Sequence, residues 1–320
     1  MSITPPAIAL RRLIDLGHDR LPLPGHGHTL ARWQALADVA AQDLVLAKLF
    51  EGHTDALAIC EELGAATPPA ASMWGTWCAE PPDARVTLRP AADAQVTLHG
   101  KKSWCSGAHA VTHALVSGWN AEGAPCLAAV AMAQPGVTVT DVGWDAVGMS
   151  ATRSVDVIFD AAIATPVGRP GDYVHRPGFW QGGAGIAACW FGGASTLARL
   201  VREGMGSAPD AHRQAHLGAI DVAMTAAAAL LRESAAWIDH HPEANAQAVA
   251  MRARLVVEHA ATEVLHHASR ALGAGALCRN ERFARTYADL PVFLRQSHAE
   301  RDLAALGLLT ASSEHAPWTL

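Results

Sequence analysis

The hydrophobic pattern of this 320-residue chain changes its period twice, and that change limits what the chain can fold into. Residues 5 to 66 place apolar side chains at helical spacing, whereas residues 74 to 167 alternate apolar with polar side chains, as strands do. After residue 173 the helical spacing returns and continues. We therefore predict an α+β multi-domain chain with N-terminal helices, a central antiparallel β-domain and a C-terminal bundle of the four-helix type. The predicted domains are 1–72, 73–170 and 171–320.

Turn-forming residues and short alternating segments locate the individual elements. Segments 85–89 and 95–99 alternate apolar with polar residues on either side of a turn at 90–93, so they predict a β-hairpin. The other predicted strands are 114–117, 126–132, 137–140 and 154–159. The predicted helices before them are 7–16, 29–40 and 42–63. In the last region, alanine-rich apolar stripes favour close helix packing in a core or a subunit interface.

Composition and charge exclude several classes of protein. The net charge is -6 and no run of lysine or arginine forms a stripe, which argues against a nucleic-acid partner. Apolar stretches are interrupted by polar residues or glycine, so we predict no membrane span. The first residues lack a charged start followed by an apolar core, and the six cysteines are scattered. We therefore predict no signal peptide, reduced thiols and a cytoplasmic location.

The 17 histidines raise the question of a metal site. Their close neighbours in sequence include His26 with His28, His240 with His241, and His266 with His267. The side chains of adjacent histidines on a helix point about 100° apart and cannot easily coordinate one ion together. The sequence analysis therefore predicts no metal site.

Five short motifs fall in the β-region and the C-terminal helices. Each is weak alone, but five in a fixed order on the predicted element types are difficult to produce by chance. They are Trp77-Cys-Ala-Glu80-Pro81, Leu98-His-Gly-Lys-Lys-Ser-Trp104-Cys-Ser106-Gly-Ala108, Val147-Gly-Met-Ser-Ala-Thr-Arg-Ser154 continuing to Asp160, Arg202-Glu-Gly-Met205-Gly206, and Arg270-Ala-Leu-Gly273-Ala274-Gly275. Behind the last motif stands Arg285-Thr-Tyr-Ala-Asp289.

The order of regions and these motifs resemble the acyl-CoA dehydrogenase family over roughly residues 74 to 305. The segment around Trp104 is the most specific, since it resembles the family's Leu-Asn-Gly-x-Lys-x-Trp-Ile-Thr-Asn-Ala. The first seventy residues match only in being helical and are short for that family. The resemblance implies bound FAD, an acyl-CoA or similar small-molecule substrate, and a homodimer or homotetramer in which a neighbouring subunit supplies part of the FAD site.

The residue types also suit a flavin. An isoalloxazine ring has an apolar end and a polar edge, so it fits an aromatic wall such as Trp104 beside a hydroxyl such as Ser106. Arg202 offers a charged donor for a pyrophosphate, and Gly273-Ala274-Gly275 gives backbone access. Three further predicted cofactor residues stand where this chain departs from the family pattern. Ala79 replaces a hydroxyl residue of the family pattern, Met205 replaces phenylalanine and Arg270 replaces glutamine.

The most consequential departure concerns the catalytic base. Removing the weakly acidic α-proton of a thioester requires a positioned carboxylate. The resemblance aligns the family's glutamate with Ser297. The other position at which the family carries this glutamate aligns with residues 179–184, which contain no carboxylate. Nearby His298 and Glu300 are the candidate replacements. The segment from Arg295 to Asp302 also resembles flavin monooxygenases of the same fold, in which a histidine and an aspartate replace the glutamate.

Three functions remain open from the sequence. The first is an FAD-dependent oxidoreductase that oxidises the CH-CH bond of an acyl thioester or a related small molecule. The second is a flavin-dependent monooxygenase of the same fold that uses reduced flavin and oxygen. The third is a non-catalytic homologue. The absent glutamate and Ala79 favour the second and third, whereas Trp104, Ser106 and Arg202 favour a bound flavin.

Overall fold

The computed structural model describes residues 5–207, 210–313 and Trp318, and it divides into two compact units. Among the described residues, one unit comprises 5–21 and 45–179, and the other comprises 22–44, 180–207, 210–313 and Trp318. The α+β class is confirmed. The three predicted domain boundaries stay a prediction. The helices are α1 (Pro6–Asp15), α2 (Thr29–Gln42), α3 (Leu44–Glu62), α4 (Asp172–His175), α5 (Gly178–Gly183), α6 (Gly185–Glu203), α7 (Ala211–His240), α8 (Gln247–Arg279), α9 (Glu281–Leu294) and α10 (Glu300–Ala311).

The strands of the first unit close into a ring. They are β1 (Trp74–Trp77), β2 (Val86–Pro90), β3 (Val96–Cys105), β4 (His113–Trp119), β5 (Pro125–Ala131), β6 (Val137–Val139) and β7 (Val155–Pro166). Because β4 pairs with both β2 and β5, the order β4–β2–β3–β7–β5 returns to its start. The pairing is antiparallel, as predicted, except that β4 runs parallel to β1 and β2.

The predicted hairpin is confirmed, with Val86 opposite Gly100 and Pro90 opposite Val96. Gly100 has a φ of 118°, and a Cβ at this position would lie 2.1 Å from the carbonyl oxygen of Arg85. Glycine is therefore required where β2 and β3 approach each other. The strand β7 extends beyond its predicted end, since its inward residues continue to Ala164.

Helix α3 covers one face of the strands in the first unit. Its apolar residues Ala56, Ile59 and Cys60 pack against Trp74 and Leu115. These residues are nearly inaccessible to water, so the helix that precedes the β-region is part of the same core.

In the second unit, α2 and α6 approach closely. A Cβ at Gly192 would lie 2.2 Å from the carbonyl oxygen of Ala37, so glycine allows the two backbones to meet. The start of α2 is fixed from α7. The carboxylate of Asp239 accepts hydrogen bonds from the backbone N–H of Thr29 at 3.0 Å and from its hydroxyl at 2.6 Å. It therefore satisfies a backbone donor that the first turn of α2 leaves free.

Among the described residues, two helical segments have the length and the apolar composition that a membrane span needs. In Gly178–Glu203, 72% of the apolar window is buried, as in the core helix of a globular protein. In Ala211–His240 only 17% is buried. Gly192 and Gly193 interrupt the first segment and Asp221 interrupts the second, as noted in the sequence. Two such helices are weak evidence for a membrane span, and the expectation of none stays a prediction.

The buried imidazole of His53 makes the stability of the first unit depend on pH. Its Nδ1 accepts a hydrogen bond from the backbone N–H of Trp74 at 3.2 Å, and its Nε2 lies 3.3 Å from Asp19 Oδ2. Burial lowers the pKa of His53, and the partner Asp19 only partly opposes this. The unfolded chain therefore binds a proton more readily than the folded one. This contribution is present above the unfolded pKa of about 6.5 and is lost as the pH falls below it.

We expect the free energy of unfolding of the wild-type chain to fall as the pH drops below about 6.5, and to fall less in His53→Gln. Urea unfolding at several pH values measures both slopes. His240→Gln, which removes an exposed histidine of α7, should keep the wild-type slope. Equal slopes for the wild type and His53→Gln would show that His53 does not carry the effect.

Candidate functional site

Trp104 is held outward by an irregularity in β3. The pairing of β3 with β7 shifts register between Lys102 and Cys105, and Trp104 has a φ of 59°. This left-handed conformation is costly for a bulky side chain. The side chain is nevertheless 52% exposed. A bulge of this kind redirects a side chain out of the sheet, so the unit presents one large aromatic face to its surroundings.

A row of three hydroxyls lies beside Trp104. The Oγ atoms of Ser106 and Ser154 are 2.8 Å apart, and Ser154 Oγ lies 2.8 Å from Thr152 Oγ1. Thr152 donates to the carbonyl oxygen of Met149 at 2.8 Å. Because this commits the proton of Thr152, Ser154 donates to Thr152 and Ser106 donates to Ser154. Ser106 therefore keeps only acceptor capacity toward a ligand.

A small cavity lies between α3 and β1, with Ser106, Gly52 and Trp77 in its wall. It has room for about one water molecule. A flat ring system therefore does not enter it, and the accessible surface of this region is the exposed face of Trp104. The residues that α3 contributes here were not predicted, because α3 shows only a helical apolar pattern in sequence.

A buried ion pair joins the segments of Ala79 and Trp104. Lys102 has no exposed surface, and its Nζ lies 2.6 Å from Glu80 Oε1. The same Nζ donates to the carbonyl oxygen of Ser117 at 2.9 Å and to its hydroxyl at 2.8 Å. Glu80 also accepts from the indole N–H of Trp119 at 3.2 Å. The charged residues of the first two motifs therefore fix the strands, while Ala79 itself is half-buried and offers no side-chain donor.

The two motifs of the C-terminal helices lie together in the second unit. Gly204 follows the last turn of α6, and a Cβ there would lie 2.7 Å from Leu272 Cδ2. Arg202 is exposed and Met205 is half-buried at this end of α6. The packing of Gly204 on Leu272 therefore places the Arg202 segment beside the Arg270 segment.

Helix α8 is interrupted at Gly273, whose φ of 67° and ψ of -171° are not helical. A Cβ at Gly273 or Gly275 would meet nothing within 4 Å. Arg270, Ala274 and Gly275 are exposed. The kink therefore leaves open backbone next to a guanidinium, as the sequence analysis predicted for an anionic ligand.

The candidate catalytic residues surround the start of α10. Ser297 is 5% exposed, and its hydroxyl accepts from the backbone N–H of Ala299 at 3.2 Å. The side chain of His298 is 57% exposed, and its Nδ1 lies 3.5 Å from Asp302 Oδ1. The backbone N–H of His298 donates to Asp302 Oδ2 at 3.1 Å. Glu300 is exposed in the first turn of α10.

This geometry separates the candidates by their surroundings. Ser297 serves the turn, and Ala299 holds a strained φ of 45° between His298 and Glu300. His298 is the one with a carboxylate beside its ring, since Asp302 Oδ1 lies 3.5 Å from its Nδ1. Within the described ranges, no three His, Cys, Asp or Glu side chains converge as ligands of one metal ion.

No family model matches the sequence. A stretch of 105 residues is 41% identical to the amino sugar nitrososynthase DnmZ of Streptomyces peucetius and covers 29% of this chain. The same stretch covers 26% of that protein, so the match spans about a quarter of the length of this curated relative.

Solved structures resemble the whole chain. KijD3 in complex with dTDP has a TM-score of 0.82 and 20% identity, covering 96% of this chain and 90% of KijD3. A KijD3 complex with FMN and dTDP-3-amino-2,3,6-trideoxy-4-keto-3-methyl-D-glucose has a TM-score of 0.75 and 20% identity, covering 97% and 94%. FMN-bound TdsC from Paenibacillus sp. A11-2 has a TM-score of 0.76 and 19% identity, covering 94% of each chain. At such identities the likeness shows the fold, which is the acyl-CoA dehydrogenase-like fold of these neighbours.

Proposed function

We propose that this chain is a flavin-dependent monooxygenase that oxidises a small molecule at an amine nitrogen. The observation that carries the proposal is the pair of His298 and Asp302 near the position where the resemblance implies a glutamate. Ser297 occupies that position and is engaged in a turn. A neutral hydroxyl cannot remove the α-proton of a thioester, whereas an imidazole can accept or donate a proton.

Each of the two units contains residues that suit one part of a flavin cofactor. In the first unit, Trp104 offers an exposed aromatic face, and Ser106 beside it can accept a hydrogen bond from a flavin N–H. In the second unit, Arg202, Arg270 and the open backbone at Gly273 suit a phosphate or diphosphate. Two arginines favour the diphosphate of FAD, which we retain as the proposed cofactor. FMN is the alternative, because the neighbours TdsC and KijD3 have been solved with FMN.

Each group then has a defined task. A bound reduced flavin would supply the two electrons with which dioxygen gives one oxygen atom to the amine nitrogen and releases the other as water. Trp104 would hold the ring by stacking, and Ser106 would accept a hydrogen bond from its polar edge. His298 holds or releases a proton at Nε2, while Asp302 fixes the ring through Nδ1. Asp302 therefore acts as a positioning residue.

The proposed substrate is a small molecule with a primary amine, such as a nucleotide-linked amino sugar. Two observations support it. The 41% identical stretch belongs to an amino sugar nitrososynthase, and KijD3 has been solved with a dTDP-linked amino sugar. The alternative is a thioester dehydrogenase of the same fold with His298 or Glu300 as base, and the five motifs that resemble acyl-CoA dehydrogenases favour it.

One set of spectra separates these functions. The purified chain is first reconstituted with FAD or FMN, and the retained flavin is identified after release. The chain is then given enzymatically reduced flavin, oxygen and a dTDP-linked amino sugar. Substrate-dependent hydroxylamine or nitroso product supports monooxygenation. Anaerobic bleaching of bound flavin by an acyl-CoA would instead support dehydrogenation. Absence of product with supplied reduced flavin, together with no flavin retention, would favour a non-catalytic role.

We also propose a homo-oligomer, formed through α7. Exposed small or apolar residues follow one side of this helix, among them Gly218, Val222, Ala226 and Ala229, and Val222 is 70% exposed. An apolar face of this length is unusual for a monomer's surface. We expect sedimentation at micromolar concentration to show a dimer or tetramer, which Val222→Glu shifts toward the monomer. Val147→Glu, at an exposed valine of the other unit, is the matched control, and a monomeric wild type contradicts the proposal.

A further inference from the structure

The turn that carries His298 is held by helix α8 of the same unit. Arg254 on α8 donates from Nη1 to the carbonyl oxygen of Gly183 at 2.9 Å and from Nη2 to the carbonyl oxygen of Gln296 at 3.0 Å. Gly183 is the last residue of α5, and Gln296 stands two residues before His298. One guanidinium therefore joins the end of α5, helix α8 and the turn with the candidate catalytic residues.

The guanidinium of Arg254 is itself restrained. It lies over the ring of Trp190, 5.2 Å from the ring centroid, and Trp190 has no exposed surface. Stacking on a buried indole restricts the plane of the guanidinium, so its two donors keep their directions. A lysine ammonium cannot reproduce this arrangement, because it is a point charge on a flexible stem.

A second contact from α8 reaches the residue before Gln296. Glu258, one turn after Arg254 on α8, forms an ion pair with Arg295. The Glu258 side chain is 12% exposed, so solvent screens this pair less than it screens a pair on the open surface. Two consecutive residues of the turn, Arg295 and Gln296, are therefore both bound to α8.

The turn contains a strained residue that needs such support. Ala299, next to His298, has a φ of 45° and a ψ of -111°, which a residue with a Cβ rarely adopts. Within the turn, the Ser297 hydroxyl accepts from the N–H of Ala299, and Asp302 accepts from the N–H of His298. Strain of this kind persists where the surrounding structure fixes the backbone. The contacts from α8 supply the part of that restraint that comes from outside the turn.

We propose that Arg254 is a positioning residue for His298. By binding the carbonyl group of Gln296, it fixes the backbone from which His298 projects. A displacement of about 1 Å at a reacting group can cost on the order of 10²-fold in rate, so the loss of this anchor affects turnover. The inference rests on the proposed role of His298 in proton transfer, and it adds a residue that none of the five motifs contains.

The test compares Arg254→Met with Arg252→Met in the full, flavin-loaded chain. Methionine keeps most of the stem and removes the guanidinium. Arg252 lies on the same helix and makes no hydrogen bond or ion pair with another described residue, so its replacement is the matched control. With reduced flavin, oxygen and a dTDP-linked amino sugar, Arg254→Met should lower the turnover number about 10- to 100-fold at unchanged KM and flavin content. Arg252→Met should keep the wild-type turnover number.

The His298→Ala background separates positioning from a general loss of structure. If Arg254 acts through His298, adding Arg254→Met to His298→Ala should lower the turnover number by less than about twofold more. An undiminished 10- to 100-fold loss in that background overturns the proposal. If Arg254→Met does not fold, Arg295→Met takes its place, because the Arg295 side chain is 57% exposed. Its smaller loss of turnover should likewise disappear in His298→Ala, and an equal loss in both backgrounds overturns the proposal.

Hydrogen exchange gives a readout that does not depend on activity. Arg254→Met should speed amide exchange in peptides that cover residues 295–303, and Arg252→Met should not. Unchanged exchange in Arg254→Met overturns the proposal. If His298→Ala leaves turnover unchanged, the proposed proton-transfer role fails by itself. Faster exchange in Arg254→Met would then still show that α8 holds the turn.

Discussion

Replacing Lys102 with methionine is expected to lower the free energy of unfolding by about 3 kcal/mol, the lower end of the range for breaking a buried ion pair. Methionine nearly fills the space of the lysine stem but removes the ammonium that binds Glu80 at 2.6 Å and Ser117 at 2.8 and 2.9 Å. The carboxylate of Glu80 would then lack its cation. Its side chain is 30% exposed, so water can reach it, and we place the cost at the lower end for that reason.

Lys101→Met is the matched control, because Lys101 precedes Lys102 on the same strand. Its side chain is 35% exposed, and its Nζ lies 3.6 Å from Asp83 and 3.5 Å from Asp156. Asp83 is exposed whereas Asp156 is buried, but both contacts are longer than the Lys102–Glu80 contact, so we expect Lys101→Met to cost less than Lys102→Met. Urea unfolding followed by circular dichroism measures both variants. Equal effects of the two substitutions would mean that the Lys102–Glu80 pair does not stabilise the β-region.

Adding Glu80→Gln to Lys102→Met should recover part of the lost stability. The second substitution removes the stranded charge while keeping a group that can accept from Trp119. This double variant tests whether the unpaired carboxylate of Glu80 causes the loss of stability in Lys102→Met, as well as how large that loss is. No recovery would indicate that the loss comes from packing around Lys102 instead of from the unpaired carboxylate.

Local patterns were sufficient to predict most elements of the fold. The period of the apolar residues located α2, α3 and the hairpin of β2 and β3, because each element buries a face that its own sequence defines. The closure of the strands into a ring was not predicted. It depends on β4 pairing with both β2 and β5, and no local pattern encodes which strands become neighbours.

In the candidate site, too, local patterns located residues but not their tertiary partners. The motifs located Trp104, Arg202 and Gly273, and the structure gives these residues an exposed ring, an exposed guanidinium and an open backbone. Their partners were missed. Ser154 turns the hydroxyl of Ser106 into an acceptor, and Asp302 lies beside His298. Such contacts arise from tertiary packing, since a residue type in sequence shows neither the direction of its hydrogen bond nor its partner.

Replacing His298 with alanine is expected to lower the turnover number for substrate oxidation by about 10²- to 10⁴-fold while the flavin content stays unchanged. The imidazole is exposed, and Asp302 lies 3.5 Å from its Nδ1, so Nε2 remains available for proton transfer. The proposed flavin-holding residues are elsewhere in the chain, and His298 is not among them. A loss of turnover with retained flavin therefore separates a proton-transfer role from a binding role.

Glu300→Ala is the control that decides between the two candidate bases. Glu300 is exposed in the first turn of α10, where a carboxylate also favours the helix dipole, so its removal should change turnover little and stability by about 0.3–1 kcal/mol. Asp302→Asn should lower turnover less than His298→Ala does, because it removes the carboxylate beside the ring and keeps the ring itself. If Glu300→Ala abolishes turnover while His298→Ala does not, the carboxylate is the base. That result would favour thioester dehydrogenation over oxygen chemistry, because a carboxylate base is what removal of a thioester α-proton requires.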